Sequence, residues 1–372
     1  MLFLLAEEIK KEECRKWNEM KNIAVILGDP RLPDSAKPGG KFDEDDLDTV
    51  ERLKQALAQL RDYTFSYFDN HSTLESDLKA RKSAAGISFA FNLCDEGFKN
   101  DPRREADIPE MLNRLNIQHT GAGAYAMGLC YNKLKTLRKV RELKSDIGIP
   151  QTTLLLKGNW NPKKLNKFRL PVIVKPNCGD GSVGITQRSV AYNVEELAQA
   201  LEEVSNVLHE SDLSILVQEY LTGADLTFGV IGNPGNFTSL PITKEDFSRL
   251  DFDPKLPRIS GYEAKWYENS PYWNIKSVPA NLPKETEELQ KETNDKIIKD
   301  SLFLFEKFKC RDYARFDWRL DDQGTPKLLE VNPNPGWCYD GHLARAAEFA
   351  GINYSQMLDK ILKSAERRLK LE

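Results

Sequence analysis

Three oxygen-bearing side chains and one arginine lie close together near the C-terminal end of the chain. Arg315 and Asp317 precede a turn-forming segment, and Glu330 and Asn332 follow it. Carboxylates and amide carbonyls are the ligands that hard cations such as Mg²⁺ prefer in proteins. A magnesium site beside an arginine indicates phosphate chemistry, because both cations neutralise anionic oxygens. The alternative that these residues leave open is an ordinary hairpin with a polar solvent face.

A β-hairpin is predicted to position these groups. Residues 314–320 alternate between charged and apolar side chains, which is typical of a strand with one buried face. Residues 321–324, with the sequence Asp-Asp-Gln-Gly, are turn formers, and residues 327–331 form the return strand. The donor-poor loop Asn-Pro-Asn-Pro-Gly at 332–336 follows at once and favours a shaped site over an ordinary hairpin.

The register of this hairpin follows from the position of its turn. If the turn centres between residues 323 and 324, Asp317 lies opposite Glu330 and Arg315 lies opposite Asn332. Directly opposed side chains on neighbouring strands are about 5 Å apart at Cβ. The two carboxylates would repel each other at this separation unless a cation lay between them. The predicted register therefore supports a metal site.

The composition of the whole chain narrows the class of protein. At 372 residues the chain is too long for one simple core, so two or three domains are expected. A hydrophobic content of 40% with 30% charged residues is ordinary for a globular protein, and the net charge of -4 gives no electrostatic argument for nucleic-acid binding. No stretch approaches the roughly 20 apolar residues that would span a membrane.

The cysteines and the first residues bear on cellular location. The six cysteines are scattered without paired spacing and the four histidines show no ligand spacing, so neither a disulfide framework nor a zinc site is expected. This pattern predicts a reducing, cytoplasmic location. Residues 1–6 are apolar but too few for a signal peptide, and residues 1–20 are predicted as an amphipathic helix or a flexible lead.

A βαβ rhythm organises the first third of the chain. The short apolar run at residues 22–28 ends in glycine and predicts a buried parallel strand. Helical spacing at residues 46–60 follows it. The alternation continues and predicts a small open parallel sheet over residues 21–125. The further predicted elements are strands at 64–68, 87–93 and 117–120 and a helix at 108–115.

Longer elements follow in the rest of the chain. Residues 248–283 are rich in proline and aromatic residues and predict a mobile loop. Residues 343–369 are predicted as one closing helix. The other predicted elements are helices at 132–143, 194–208 and 285–308 and strands at 171–176, 214–221 and 225–232.

The glycine-rich loop at residues 179–184 has the composition of a phosphate-binding loop. Glycine lets backbone N–H groups approach anionic oxygens, since no Cβ obstructs them. The loop is not a Walker motif, because no Gly-Lys-Ser or Gly-Lys-Thr follows. Lys175 precedes the loop at a strand end, and Lys133 is a second candidate cation. The alternatives are a common glycine-rich turn and two solvated surface lysines.

Two further signals fit a nucleotide. Residues 218–221, Gln-Glu-Tyr-Leu, form a strand end whose backbone groups could match the edge of an adenine ring. Asp225 follows a glycine turn and is a natural acceptor for ribose hydroxyls, although it could instead close the turn. These signals gain weight from their joint occurrence with the magnesium hairpin.

The order of these motifs resembles the ATP-grasp superfamily and, within it, the D-alanine–D-alanine ligase-like group. Five motifs fall in the family's order, and the resemblance extends from about residue 22 to the C-terminus. The resemblance implies an α/β, or α+β, fold in which an N-terminal open parallel sheet precedes two ATP-grasp subdomains, residues 126–215 and 216–372, that sandwich ATP. The matching segments are 174–184, 218–225, 262–265, 315–317 and 329–336.

The resemblance implies which residues bind ATP. In this family lysines contact the phosphates, a strand end forms the adenine hinge, and an acid binds the ribose. The matching residues are the phosphate lysines Lys133, Lys175 and Lys265, the hinge residues Gln218, Glu219, Tyr220 and Leu221, and the ribose acid Asp225.

The resemblance also implies metal ligands and catalytic groups. Asp317, Glu330 and Asn332 match the ligands of two magnesium ions, for which Mn²⁺ is an alternative. Arginine and a backbone N–H stabilise the tetrahedral intermediate in this family, and a loop lysine contacts the phosphates. The predicted catalytic residues are Arg315, Gly336, Lys265 and Ser182.

The implied reaction joins a carboxylate to an amine. ATP converts the carboxylate, a poor electrophile, into an acyl phosphate, and the amine then displaces phosphate. Lids exclude water that would hydrolyse this intermediate. The implied partners are small carboxylate and amine substrates, amino acids or short peptides, and a second copy of the chain in a homodimer.

The amino-acid half of the family pattern is missing. D-alanine–D-alanine ligases carry a Ser-x-Glu-x-x-Val-Ser element whose glutamate fixes the amine of the first D-alanine, and residues 28–35 lack it. A serine and a tyrosine that normally join that glutamate are replaced by Gly181 and Trp266. The family's His-Gly dipeptide is replaced by Cys-Asp-Glu-Gly at residues 94–97.

These departures predict a carboxylate–amine ligase of altered amino-acid specificity. The first alternative is an authentic D-alanine–D-alanine ligase of cell-wall synthesis with a diverged N-terminal loop. The second is a non-catalytic ATP-binding regulatory module. The candidate substrate contacts, chosen by position, are Asp29, Arg31, Glu96, Arg103 and Arg104, and the two adjacent arginines could equally be surface features.

Overall fold

The fold contains three β-sheets with helices packed against them. A computed structural model describes residues 20–158, 160, 165, 167–179, 181–208, 213–249, 255–273, 275–280 and 287–371. The predicted lead at residues 1–20 therefore lies outside the described residues, apart from its last residue. No helix within these ranges combines the length and the hydrophobicity that a membrane crossing requires.

The first sheet is parallel, with strand order β2-β1-β3, as the βαβ rhythm predicted. The central strand β1 and the strand β3 are mostly buried, whereas β2 is partly buried. The predicted strand at residues 117–120 is shortened to one parallel bridge between His119 and Ala90, and the chain turns away at Gly121, whose φ is +71°. The elements are β1 (Lys21–Ile26), α1 (Glu44–Leu57), β2 (Tyr63–Phe68), α2 (Leu74–Ala85), β3 (Phe89–Asn92) and α3 (Asp107–Arg114).

The second sheet is antiparallel, with strand order β4-β7-β5-β6. The apolar face of α6 packs on it, burying Leu197, Leu201 and Val204 against the strands. Strand β7 continues to Glu219, past the boundary at residue 215 that the sequence predicted, because it pairs with both β4 and β5. The elements are α4 (Ala124–Cys130), α5 (Lys133–Glu142), β4 (Thr152–Leu156), β5 (Val172–Pro176), β6 (Val190–Ala191), α6 (Val194–Val207) and β7 (Ser214–Glu219).

The third sheet carries the predicted hairpin. Its strand order is β11-β10-β8-β12-β13, and β9 pairs with β8. Phe316 and Trp318 are buried on the apolar face of the hairpin, packed with Phe305 and Phe308. The elements are β8 (Asp225–Asn233), β9 (Asn236–Ser239), β10 (Thr243–Asp246), α7 (Tyr262–Trp266), β11 (Lys276–Pro279), α8 (Glu287–Lys307), β12 (Tyr313–Leu320) and β13 (Pro326–Asn332).

The end of the chain ties the first sheet to the third. The predicted single helix at residues 343–369 is instead two helices, α9 (His342–Phe349) and α10 (Tyr354–Leu369). Gly351 takes a positive φ of 74° between them, and a capping box at Asn353 starts the second helix. Apolar residues of α10 share one core with β1, β8 and β12, so the C-terminal helix holds the parallel sheet against the third sheet.

Candidate active site

One cavity of about 550 Å³ takes lining residues from all three sheets. Most of the residues that the sequence predicted to do chemistry face it together. The predicted residues that line it are Glu96, Lys133, Lys175, Ser182, Asp225, Lys265, Arg315, Asp317, Glu330, Asn332 and Gly336.

The hairpin β12–β13 forms one wall of this cavity. Asp317 pairs with Glu330 and Arg315 pairs with Asn332, as the sequence predicted. The predicted turn position was off by half a residue, because Leu320 pairs with Pro326 and the turn therefore centres on residue 323. An extra residue, Leu329, forms a bulge between the turn and the site, and this bulge restores the predicted pairing of the two carboxylates.

Cations of the protein itself neutralise the two opposed carboxylates. The Arg315 guanidinium binds Asp317 through two N–H donors, each 3.0 Å from a carboxylate oxygen, and Lys133 Nζ lies 3.4 Å from Glu330 Oε2. Burial raises the pKa of Asp317, and Arg315 opposes that shift. Burial also works against the charge of Glu330, but Lys133, Arg315 and Lys175 hold its pKa well below the ordinary value. Glu330 is therefore ionised at neutral pH.

The donor set of the hairpin fits a hard divalent cation. Two carboxylates face each other, and Asn332 Nδ2 donates to Asp317 Oδ2 at 2.9 Å. Turning this amide over would present its oxygen to the same space, and the two orientations differ little in shape. Among the described residues no group of three or more His, Cys, Asp or Glu side chains could hold a metal. The candidate site consists instead of two carboxylates and one amide.

Lys133 and Lys175 line the cavity next to the hairpin. Asn132 caps the N-terminus of α5, which aims Lys133 at the glycine-rich loop, where its Nζ donates to Gly179 O at 2.5 Å. Lys175 is buried near the end of β5, and burial followed by repulsion from Lys133 lowers its pKa to about 8. Two buried cations in contact with one cavity favour a polyanionic ligand, because an anion would restore the charge of both.

Residues 260–266, which we call the lid, cover the glycine-rich loop. Helix α7 carries Lys265, and the backbone N–H of Tyr262 donates to Ile185 O at 2.8 Å. Ser182 Oγ donates to Ser260 O at 3.3 Å, so the predicted catalytic serine binds the lid. Tyr262 Oη also donates to Ala36 O at 3.3 Å, which ties the lid to the first domain. These contacts bring Lys265 into the cavity beside the hairpin.

The predicted adenine hinge lies at the edge of the cavity and does not line it. Gln218 is buried and donates to Thr152 Oγ1 at 2.8 Å. The backbone N–H groups of Glu219 and Tyr220 donate to Gln151 O and Pro171 O, so neither is available to a base unless those bonds break. Leu221 is buried as well.

Asp225 lines the cavity but already has a partner. Its carboxylate accepts from Arg319 at 2.9 Å, and the same guanidinium lies 5.0 Å from the ring of Tyr220. Arg319 lies on the same face of β12 as Arg315 and Asp317, and the sequence gave it no role. The ion pair fixes the Asp225 carboxylate at the border between cavity and hinge, where a ribose acceptor would have to lie.

Comparison with known proteins decides the family. Residues 143–363, more than half of the chain, match the family described as D-ala D-ala ligase C-terminus. The chain is 29% identical over 303 residues to a D-alanine–D-alanine ligase of Bacillus anthracis, covering 81% of this chain and 87% of that protein. It is 28% identical over 323 residues to the Thermotoga petrophila D-alanine–D-alanine ligase, covering 86% and 92%.

The chain belongs to the D-alanine–D-alanine ligase family. It is an ATP-grasp ligase of the class that forms carbon–nitrogen bonds. The fold agrees with solved structures of the family. The B. anthracis ligase complexed with ATP superposes with a TM-score of 0.67 at 22% identity, over 94% of this chain and 99% of that one. The Enterococcus faecalis VanG D-Ala:D-Ser ligase gives 0.65 at 16% identity, over 93% and 99%.

The far end of the cavity departs from the family sequence pattern, and acidic residues line it. Asp95 and Glu96 follow strand β3. Trp337 Nε1 donates to Asp95 Oδ1 at 3.2 Å, and the Glu96 carboxyl packs on Gly28, where an added Cβ would lie 2.5 Å from Oε2. Glu96 was predicted, but Asp95 was missed. The adjacent carboxylates at a strand end were the signal that could have found it.

Two predicted substrate contacts in the loop after β1 do not line the cavity. The Asp29 carboxylate is buried and accepts from the backbone N–H of His71 at 2.8 Å and of Arg31 at 3.0 Å. Arg31 pairs with Asp29 at 2.8 Å and with Asp69 at 2.9 Å. Asp29 therefore organises the loop, and the geometry gives no support to the prediction that these two residues bind substrate.

The two predicted arginines after Glu96 have local acidic partners. Arg103 donates to Asp101 on its own short turn, at 2.7 and 2.6 Å. Arg104 pairs with Asp107 at 2.7 Å, and its guanidinium lies 4.7 Å from the ring of Phe98. Neither lines the cavity. Their local acidic partners stabilise the turn before α3, which is the surface role that the sequence had left open.

Two further side chains of this end, Lys37 and Trp266, were not among the predicted substrate contacts. Lys37 pairs with Asp46 at 2.5 Å and lies 5.8 Å from the ring of Trp266 on the lid. Trp266 Nε1 is buried and has no hydrogen-bond partner among the residues that the structure describes. Both side chains line the cavity. Lys37 belongs to an irregular loop whose course no periodicity predicts.

Proposed function

We propose that this protein is an ATP- and Mg²⁺-dependent carboxylate–amine ligase whose amino-acid specificity differs from that of a ligase of two D-alanines. One observation carries the proposal. A single cavity combines a phosphate end, where the family's lysines and hairpin are present, with a substrate end built from other residues, namely Asp95, Glu96, Gly181 and Trp266.

The nucleotide would lie at the phosphate end. Lys133, Lys175 and Lys265 would neutralise its phosphates, and their shared cavity supports this assignment. Asp225 would accept from the ribose beside its Arg319 partner. The hinge at residues 218–221 would border the base through groups other than the two N–H donors already used in the sheet.

The hairpin would hold the metal. Asp317, Glu330 and Asn332 supply oxygen ligands suited to Mg²⁺, or to Mn²⁺, with no sulfur or imidazole among them. A bound ion would neutralise phosphate oxygens during transfer. The protein's own part is to favour the ionised form of both carboxylates, which Arg315 and Lys133 do by pairing with them.

The remaining chemistry concerns the acyl group. Phosphorylation of the substrate carboxylate gives an acyl phosphate, and attack by a neutral amine forms the new C–N bond and releases phosphate. Arg315 and the backbone N–H of Gly336 would stabilise the oxyanion of that step. Lys265 would neutralise the phosphate as it leaves, while Ser182 anchors the closed lid that excludes water.

Phosphate release tests this proposal. The protein is incubated with ATP, Mg²⁺ and a panel of D- and L-amino acids and dipeptides, singly and in pairs. We expect release that depends on an amine acceptor, with a preferred pair other than two D-alanines. Tight ATP binding without amine-dependent release for any acceptor would contradict ligase activity.

An authentic D-alanine–D-alanine ligase is the second candidate, and the curated relatives favour it, since those reported above carry that name. D-alanine-dependent release at millimolar concentration, exceeding that of every other pair, would establish it. A non-catalytic ATP-binding module is a third alternative and predicts that Asp317→Asn leaves biological function intact. The homodimer that the resemblance implies stays a prediction.

A further inference from the structure

Glu245, Ser277 and His342 form a hydrogen-bonded chain at the wall of the cavity. They come from β10, from β11 and from the first turn of α9. Ser277 Oγ lies 2.7 Å from Glu245 Oε1 and 3.1 Å from His342 Nδ1. The side chains of Glu245 and His342 line the cavity. The chain therefore connects a carboxylate to an imidazole ring that a bound ligand can touch.

The donors and acceptors of this chain can be assigned. A serine hydroxyl has one proton to donate. Ser277 lowers the pKa of Glu245, as a hydroxyl does when it donates to a carboxylate. His342 Nδ1 must then donate to Ser277 Oγ, which leaves the lone pair on Nε2. Nε2 has no hydrogen-bond partner among the described residues, so this lone pair is available to a ligand in the cavity.

The position of His342 places this lone pair beside the reacting groups. A Cβ added to Gly341 would lie 3.8 Å from Gly336 O, so α9 begins against the loop whose N–H is proposed for the oxyanion. Burial, Arg315 and Lys265 together lower the pKa of His342 to about 3. The ring is therefore neutral at neutral pH, and it lies close to both cations that are proposed to act on the acyl phosphate.

Glu245 suits the acceptance of a proton at the other end of the chain. Burial raises the pKa of Glu245 to about 7, although Ser277 opposes this shift. A general base works best when its pKa is near the working pH. The charged groups that act on Glu245 and His342 from the neighbouring elements are Asp225 of β8, Lys265 of α7, Arg315 and Asp317 of β12, and Glu330 of β13.

We propose that His342, Ser277 and Glu245 relay a proton away from the acceptor amine as the new C–N bond forms. This inference rests on the proposed ligase function. The amine lone pair attacks the acyl carbon, the C–O bond to phosphate breaks with its electron pair on phosphate, and an amine proton moves to His342 Nε2. The Nδ1 proton passes to Ser277 Oγ, and the hydroxyl proton passes to Glu245 Oε1. Glu245 releases this proton to water after the product has left.

A competition between two acceptors tests the relay. Hydroxylamine converts acyl phosphates to hydroxamates without a protein base, because it is neutral at neutral pH and the cation formed by its attack loses a proton readily to water. The reaction contains ATP, Mg²⁺, hydroxylamine and the amino-acid pair of the panel that gives the fastest phosphate release. The ratio of amide to hydroxamate should fall about 100-fold in His342→Gln, as for the loss of a general base.

The outcomes of this competition separate the relay from the ligase function. An unchanged ratio in His342→Gln would overturn the relay and leave the ligase function in place. No hydroxamate from any donor of the panel would contradict the ligase function and the relay with it. Ser239→Ala, which removes an exposed hydroxyl from β9 of the same sheet, is the control and should not change the ratio.

The pH dependence of amide formation tests the far end of the relay. The rate at saturating substrates should rise with pH through about 7 in the wild type, because Glu245 must be ionised to take the proton. In Glu245→Gln this rise should be absent, and the ratio of amide to hydroxamate should fall as it does in His342→Gln. The same rise in the variant and the wild type would overturn the role of Glu245.

The tautomer of His342 provides a test that requires neither turnover nor a folded variant of the relay. Nitrogen NMR of the wild-type protein labelled at histidine, without ligand and at neutral pH, should show a neutral His342 ring with its proton on Nδ1. That result would support the assignment of donors on which the relay depends. A proton on Nε2, or a charged ring, would overturn the relay, because His342 would then have no lone pair for the amine proton.

Discussion

The phosphate end and the substrate end of the cavity treat buried charge in opposite ways. At the phosphate end each carboxylate of the hairpin has a cationic partner, Arg315 for Asp317 and Lys133 for Glu330. At the substrate end neither Asp95 nor Glu96 forms an ion pair with a described side chain, although nearby Lys37 lowers the pKa of both. The first arrangement suits both a metal ion, which the carboxylates would bind, and an anion, which the lysine and arginine would bind. The second lies where the chain departs from the D-alanine–D-alanine ligase sequence pattern.

The largest effect is expected from a substitution at the phosphate end of the cavity. Asp317→Asn removes a proposed metal ligand and the partner of Arg315, and phosphate release should fall about 1,000-fold, as for loss of other transition-state charge stabilisation. The Mg²⁺ concentration for half-maximal rate should rise in parallel. Asp322→Asn, exposed in the same hairpin turn, is the control. A variant that keeps more than a tenth of the activity would show that the hairpin is not the metal site.

Lys175 makes the phosphate end sensitive to pH. Its pKa of about 8 in the free protein means that it must take up a proton to bind ATP when the pH is higher. The dissociation constant for ATP should therefore increase with pH above 8, approaching about tenfold per pH unit. Lys175→Arg keeps its charge and should flatten the profile between pH 7 and pH 9.5, measured by equilibrium titration. An unchanged slope in that variant would assign the proton elsewhere.

Glu96 makes the stability of the folded protein depend on pH. Burial, Asp95 and Asp34 raise its pKa while Lys37 lowers it, and the net folded-state pKa lies above the unfolded value. The folded protein thus binds more protons between the two values, and its stability falls as the pH rises through that window. Glu96→Gln cannot ionise.

The Glu96→Gln protein without ligand should accordingly be more stable than the wild type at neutral pH, by about 1 kcal/mol. The difference should vanish below the ordinary pKa of glutamate, where both side chains are neutral. Denaturant unfolding at several pH values measures it. Lower stability of the variant at neutral pH would mean that Glu96 has a cationic partner within the protein.

The smallest expected effect concerns the lid that connects the two ends. Tyr262→Phe removes the hydrogen bond to Ala36 O, and a bond of 3.3 Å should contribute about 0.5 kcal/mol, or roughly a twofold loss in kcat/KM. Tyr267→Phe, on an exposed neighbouring side chain, is the control. A loss beyond tenfold would make this contact the main latch of the lid.

The phosphate end could be predicted from sequence because its signals are local. The alternation of β12 and the turn residues after it place Asp317 opposite Glu330 without knowledge of the rest of the fold. The bulge at Leu329 was not predictable from a pattern, and it offset the error in the turn position. Helix 343–369 was predicted from its apolar content, but Gly351 divides it.

The substrate end could not be predicted, because long-range contacts define it. Glu96 packs on Gly28, 68 residues earlier, and both lie at ends of parallel strands. Asp29 has the composition of a site residue, yet the distant N–H of His71 occupies its carboxylate. Lys37 reaches the cavity from a loop without periodicity. Position along the chain alone could not distinguish these three cases.

The most direct test of the central claim measures phosphate release by the wild-type protein with D-alanine and with the remaining D- and L-amino acids, at fixed ATP and Mg²⁺. The phosphate end keeps the family's residues, but the substrate end does not. We therefore expect amine-dependent phosphate release that is faster with another amino-acid pair than with two D-alanines. Release that is fastest with D-alanine alone would contradict the account, because Asp95 and Glu96 would then serve the reaction that the family name describes.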